Sequence, residues 1–260
     1  MSEWIVVAYF LYLGGIAALM RSAPSRARVG AVALAIIIVT IWLSHGETGM
    51  ALLIRDWAPV AHLMAMYRVP GALVSSPDLA FERMLVSIDR RWMYESRWIA
   101  GGNPPRAVIE MLELAYLLCY PLIPVGLACL LLRGAAAEVD RYWTSVLLAA
   151  ALCYGVLPWL PTRPPRTMDT GSTRSMVRTW NLRLIRQGSV QWNTFPSGHV
   201  ATSLAAAFAV GAALPATGAP LFLLALAIAV ASLVGRYHYA ADVVAGAGVA
   251  VIAFTVSRLV

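Results

Sequence analysis

Four histidines occur in the chain, and two of them, His199 and His238, stand beside groups that turn an imidazole into a reagent. His199 closes the run Phe195-Pro196-Ser197-Gly198-His199. Ahead of an apolar stretch, that run opens a helix: Ser197 can cap it, and the unpaired N–H groups of its first turn form an anion site beside His199. His238 lies in Gly235-Arg236-Tyr237-His238-Tyr239-Ala240-Ala241-Asp242. A spacing of four puts His238 and Asp242 on one helix face, where the carboxylate holds one ring nitrogen and leaves the other free to attack. A lone His-x-x-x-Asp pair is more often structural than catalytic, but Pro-Ser-Gly-His arises by chance in roughly one chain of this length in 600. Both together, after a stretch rich in arginine and proline, mark one reactive site, and arginine is the side chain best shaped to grip a phosphate. No acidic cluster suits magnesium, and Cys119, Cys129 and Cys153 lie in apolar stretches without ligand spacing. Neither a metal nor another cofactor is expected. His45 and His62 read as structural.

These residues need elements to carry them. The 260-residue chain is 60% hydrophobic and 13% charged, with a mean hydropathy of +0.72. Soluble domains carry about 25% charged residues, so the balance points to a bilayer. A membrane helix takes about 20 apolar residues, and the segments that fit are 3–20, 29–44, 107–132, 143–160, 200–216, 221–235 and 240–256. The expected fold is all-α, a polytopic membrane bundle of about seven transmembrane helices. Residues 1–105 read as N-terminal membrane helices with an interfacial segment, and 106–260 as the catalytic bundle. The stretch 50–73 is apolar in bulk but interrupted by Arg55, Asp56, Arg68 and Pro70, so it spans, re-enters or lies at the interface.

The net charge is +7, and all 20 basic residues are arginine. A chain without lysine suggests a GC-rich, bacterial genome. With this hydropathy the basic excess suits membrane lipids and cytoplasmic loops rather than nucleic acid. Two polar connections stand out, 75–106 and 161–195. The second holds Arg163, Arg166, Arg174, Arg178, Arg183 and Arg186 against one acid, Asp169. Trp143, Trp159, Trp180 and Trp192 read as interface anchors. Arg21, Arg26 and Arg28 argue for a cytoplasmic first connection. If 50–73 does not cross, the 161–195 loop faces the periplasm or exterior, which is the orientation expected; if it crosses, the loop is cytoplasmic.

The motifs resemble those of the type-2 phosphatidic acid phosphatase superfamily: Lys, six residues, Arg-Pro; then Pro-Ser-Gly-His; then Ser-Arg, five residues, His, three residues, Asp. The likeness covers about 143–260. Pro196-Ser197-Gly198-His199 matches in full, and His238 and Asp242 match the end of the third part. The resemblance implies a six-helix phosphatase-like core in which His238 is the nucleophile, Asp242 orients it and His199 is the general acid. Ser197 and the Gly198 backbone would hold phosphate oxygens, with Arg163 or Arg166 and Arg236. There are departures. The Lys slot is Val156, and the third-part Arg slot is Ser232, with Arg236 four residues on. On a continuous helix those two share a face one turn, about 5.4 Å, apart. Pro164-Pro165-Arg166, Gly-Arg-Tyr-His-Tyr at 235–239 and Leu114-Ala-Tyr116 resemble the inositol-phosphorylceramide-synthase-like branch.

The resemblance implies a metal-independent lipid-phosphate phosphatase working through a phosphohistidine, with a lipid phosphate as substrate. The alternatives are a phosphotransferase that passes the headgroup to an acceptor alcohol and, lower, a non-catalytic lipid transporter. Arg174 and Arg178 are candidates for headgroup binding. The sequence sets no oligomeric state.

Overall fold

With no water in a bilayer to satisfy N–H and C=O groups, an apolar chain must close its backbone hydrogen bonds within itself. This one does so as helices. The computed structural model describes residues 1–20, 25–46, 48–94, 105–167 and 175–260, and no strand occurs among them. The α-helices are α1 (Ser2–Leu19), α2 (Arg26–Ser44), α3 (Gly49–Arg68), α4 (Leu79–Asp89), α5 (Arg106–Leu117), α6 (Cys119–Leu132), α7 (Val139–Tyr154), α8 (Met176–Gly188), α9 (Gly198–Ala213), α10 (Pro215–Val234) and α11 (Ala240–Leu259). By length and composition α1, α2, α10 and α11 can cross a membrane, and α5 with α6 makes a fifth span if the bent pair is counted as one.

The 107–132 stretch, expected as a single helix, is broken. Its two halves meet at Leu118 with a bend of 56°. Pro121 accounts for the break, since it lacks the N–H that would bond the Leu117 carbonyl across it, whereas α6 continues through Pro124.

α9 lies at the centre, against α6, α7, α10 and α11. Eleven of its sixteen residues are buried, most of them Gly, Ala, Ser or Thr. Small side chains let neighbouring backbones come close where apolar burial gives no advantage over lipid. α10, with five of twenty residues buried, turns mostly outward. Trp143 was expected at the interface but sits in the core, 1% exposed, its indole N–H donating to the Asp56 carbonyl at 2.8 Å. The hydrogen bond satisfies the polar tip, so the ring can pack inward. Trp159 and Trp180 are exposed.

Contacts fix the directions of the helices. At one end Ser2 meets Asp140 near the start of α7, and at the other the Tyr12 hydroxyl donates to Gly155 just past its end, so α1 and α7 run parallel. α3 runs the same way: its first half meets Trp143, and Tyr67 near its end packs on Tyr154 and bonds Ser189 at 2.6 Å. The stretch 50–73 therefore runs the depth of the bundle, and a short 3-10 turn, Pro70–Leu73, follows it. Ser25, at the start of α2, donates to the Ala72 carbonyl, which places the first connection at the same end as Tyr67 and Ser189. The polar stretches at that end are folded too. Asp78 caps α4 through the N–H groups of Ala80 and Phe81 at 2.9 and 3.0 Å, and Ser175 caps α8.

Candidate active site

Three separate parts of the chain are tied together by their backbones. The Arg166 N–H donates to the Arg236 carbonyl at 3.0 Å, and the Ser197 N–H to the Asp242 carbonyl at 2.9 Å. Ser197 caps α9 as its sequence suggests, its hydroxyl accepting from the Val200 N–H at 3.4 Å. Two glycines allow the close approach. A Cβ on Gly246 would stand 2.6 Å from the Ser197 carbonyl, and one on Gly198 would stand 2.3 Å from the Tyr154 ring.

This framework brings the His199 and His238 rings to 5.8 Å between centroids. His238 is buried, and its Nδ1 lies 3.0 Å from the Thr194 carbonyl and 3.5 Å from Asp242 Oδ2. A carbonyl only accepts, so Nδ1 carries the proton and Nε2 keeps its lone pair. α11 begins at Ala240, so His238 precedes it and the expected shared helix face is replaced by a turn into the helix. Asp242 instead sits in the first turn of α11, where Oδ2 also accepts from the Tyr239 N–H at 2.9 Å. Among the described residues, no partner takes either ring nitrogen of His199.

The arginines have separate fates. Arg163 is held by Glu82 of α4, with Nη2 and Nε donating to the carboxylate at 2.6 and 3.1 Å and the backbone N–H at 3.1 Å. Burial works to raise the Glu82 pKa, but these hydrogen bonds and the guanidinium charge outweigh it and hold the carboxyl below its usual range. Arg166 lies in a 3-10 turn, its Cζ 5.2 Å from the centre of the Tyr237 ring. Arg178, 15% exposed, pairs with Glu113 at 2.9 Å. Arg236 follows the end of α10 with φ at 58°. It therefore does not continue the helix from Ser232, as the shared-face expectation required. Ser232 is buried and donates to the Ile228 carbonyl, while its own carbonyl takes the N–H groups of Tyr237 and His238 at 2.9 and 3.1 Å. Arg174 lies outside the described residues.

Aromatic rings surround His199. Tyr116 lies 5.3 Å and Tyr120 5.8 Å from its ring, and Tyr116 stacks on Tyr237 at 3.9 Å. A cavity of about 610 Å³ opens against His199, lined mostly by apolar side chains of α3, α6, α8 and the α5–α6 bend. Leu63, Leu117, Ile123 and Leu184 are among them, with Tyr67, Arg68 and Ser189 supplying polar groups. The bend at Leu118 helps to make the space. Cys119 lines it and Cys153 is buried in the core. Within the described residues no group of three or more His, Cys, Asp or Glu could hold a metal ion. His62 bonds Thr40 at 3.2 Å and His45 the Ile41 carbonyl at 2.7 Å, both away from the site.

The model of the family described as the PAP2 superfamily matches residues 80–256, more than half of the chain. The chain belongs to that superfamily, and its membership points to a phosphatase-type enzyme acting on phosphate esters. Comparison with curated proteins and with solved structures gave no match. With its long apolar helices, the chain is an integral membrane protein.

Sequence reasoning passed over Thr194, Tyr120, Glu82 and Glu113, and took Tyr116 and Tyr237 only as parts of motifs, without a role for either. Thr194 acts through its peptide oxygen, which no side-chain pattern discloses. Glu113 had a signal: a carboxylate inside an apolar helix is costly enough to demand a reason.

Proposed function

We propose that this chain is a lipid-phosphate phosphatase of the bacterial cytoplasmic membrane, working through a phosphohistidine on His238. The observation that carries the reading is the 5.8 Å approach of His199 to a His238 whose Nδ1 is engaged and whose Nε2 meets no hydrogen-bond partner among the described residues. In the first step Nε2 attacks phosphorus as the bond to the lipid alkoxide breaks, and protonated His199 gives its proton to the departing oxygen. Water then attacks phosphorus, His199 takes a proton from it, the P–N bond breaks and phosphate leaves. Arg166, Arg236, Ser197 and the Gly198 N–H meet the charge on the phosphate oxygens. Arg163 braces this loop through Glu82. Arg178 serves the protein rather than the headgroup. The apolar cavity beside His199 takes the hydrocarbon part of the substrate, which supports a lipid. Its size also leaves room for an acceptor alcohol, which would make the enzyme a phosphotransferase.

Purified protein in detergent with EDTA should release phosphate from at least one of phosphatidic acid, phosphatidylglycerol phosphate, polyprenyl diphosphate or a sphingolipid phosphate. His238→Ala should abolish release, and vanadate should inhibit. Activity lost on chelation, or kept in His238→Ala, contradicts the mechanism. Adding inositol or another alcohol and finding a new phosphodiester identifies a transferase.

The side of the membrane depends on whether 50–73 crosses, and the run of α3 from Trp143 at one end of the bundle to Tyr154 and Ser189 at the other supports the crossing alternative. Arg26 and Arg28 follow the connection at the site end, where Arg163, Arg166, Arg178 and Arg236 also gather. Under the charge rule these arginines support a cytoplasmic reading of the site end. α11 leads away from the site, so Val260 lies opposite, and alkaline phosphatase fused there should be active. An inactive enzyme with a fluorescent cytoplasmic reporter at the same position reverses the assignment.

A further inference from the structure

The carboxylate of Glu113, 3% exposed, gathers groups from two other parts of the chain. Arg178 donates to Oε1 at 2.9 Å, Asn181 to Oε2 at 2.8 Å, and the Tyr237 hydroxyl to Oε2 at 2.5 Å. Asn181 also donates to the Glu113 carbonyl at 2.8 Å. A buried carboxylate is costly unless its lone pairs are met, and here hydrogen bonds from three side chains meet them.

One turn earlier on α5, Glu110 performs a simpler task. It accepts from the Ser175 hydroxyl at 2.8 Å and the N–H groups of Met176 and Val177 at 3.0 and 3.2 Å, holding the N-terminus of α8. Both glutamates therefore dock α8 on α5, but Glu113 alone of the two bonds to Tyr237. That tyrosine precedes His238 in the chain, stacks on the Tyr116 ring that neighbours His199, and lies under the guanidinium of Arg166. Its ring thus contacts Tyr116 beside His199, its backbone leads into His238, and the guanidiniums of Arg166 and Arg178 lie 5.2 and 5.7 Å from its centre.

We infer that Glu113 and Tyr237 are positioning residues for the phosphate site. The carboxylate holds the Tyr237 hydroxyl, and so sets the ring against which Arg166 rests and the backbone that carries His238. The inference rests on the function proposed above. A hydrogen bond from the phenol to a carboxylate also makes the ring a better seat for a guanidinium. Loss of either member lets Arg166 and His238 drift from their in-line geometry, and a displacement of about 1 Å there can lower the rate roughly a hundredfold.

The test uses the full chain in detergent and measures kcat, KM, inhibition by vanadate and thermal stability. Glu113→Gln and Tyr237→Phe should each lower kcat/KM and weaken vanadate inhibition by roughly tenfold to hundredfold. Glu110→Ala loosens the same α5–α8 dock without touching Tyr237, and should lower the melting temperature while leaving kcat/KM and vanadate inhibition unchanged. If Glu113→Gln does not fold, Tyr237→Phe decides alone, because it keeps the ring and its stack. Unchanged kinetics in Tyr237→Phe overturn the inference. So does a Glu110→Ala variant that loses activity in step with the Glu113 variant, since Glu113 would then only dock α8. An inactive wild type, or an active His238→Ala in the same assay, removes the proposed function and this inference with it.

Discussion

The Thr194 carbonyl lies 3.0 Å from Nδ1 of His238, closer than the Asp242 carboxylate at 3.5 Å. A peptide oxygen, placed by the loop that leads into α9, thus selects the tautomer, and Asp242 adds charge to a ring already oriented. Division of the task in this way sets how much each group can matter.

Asp242→Asn should therefore retain the tautomer, and an amide oxygen can still accept from the Tyr239 N–H. Its kcat should fall by about tenfold to hundredfold, short of the roughly 10⁴-fold loss found where a carboxylate alone sets the ring. Steady-state kinetics on the best lipid phosphate measures this. A loss as complete as that of His238→Ala would show that the Thr194 carbonyl does not hold the ring by itself.

The two close-packed glycines should tolerate no side chain. Gly246→Val drives a Cβ into the Ser197 carbonyl, and Gly198→Ala drives one into the Tyr154 ring. Overpacking of this kind costs about 1–3 kcal/mol. Both variants should melt earlier than wild type and lose activity, whereas Gly248→Ala, with nothing within 4 Å of its added Cβ, should do neither.

Leu63→Trp fills the apolar cavity from α3 without touching either histidine. The expected result is a KM for a long-chain lipid phosphate raised by about tenfold, since each lost methylene contact costs about 1–3 kcal/mol. Hydrolysis of p-nitrophenyl phosphate, which has no chain to place, should be unaffected. An equal effect on both substrates would show that the cavity does not hold the hydrocarbon.

The Glu82–Arg163 pair should make stability fall in acid. Glu82 has a folded pKa below its ordinary value of 4.5, so the unfolded chain binds the proton more readily. The contribution is fully present above that ordinary value and is lost as pH falls through the lower folded one. Melting curves in detergent between pH 3 and 7 should show a shallower acid decline for Glu82→Gln than for wild type. Parallel curves would mean that the pair adds nothing to the folded state.

Residue order alone was enough to establish the helical membrane class, because hydropathy and the rules of backbone hydrogen bonding act locally. It also singled out Ser197, His199, His238 and Asp242, whose types and spacings are improbable without chemistry. Proline could have warned of the α5–α6 break, although hydropathy continued straight through it. Tertiary structure decided which partner each arginine meets. Arg163 and Arg166 are three residues apart and alike in the sequence, yet Glu82 holds one and the Tyr237 ring lies beside the other. It likewise decided that Arg236 leaves the helix, that a peptide oxygen holds His238, and that Glu113 reaches the site through a tyrosine 124 positions away. The physical reason is common to all of these. A side chain's nature is written in its own residue, but its partner is whatever the packing of distant helices brings within about 3 Å, the range over which a hydrogen bond acts.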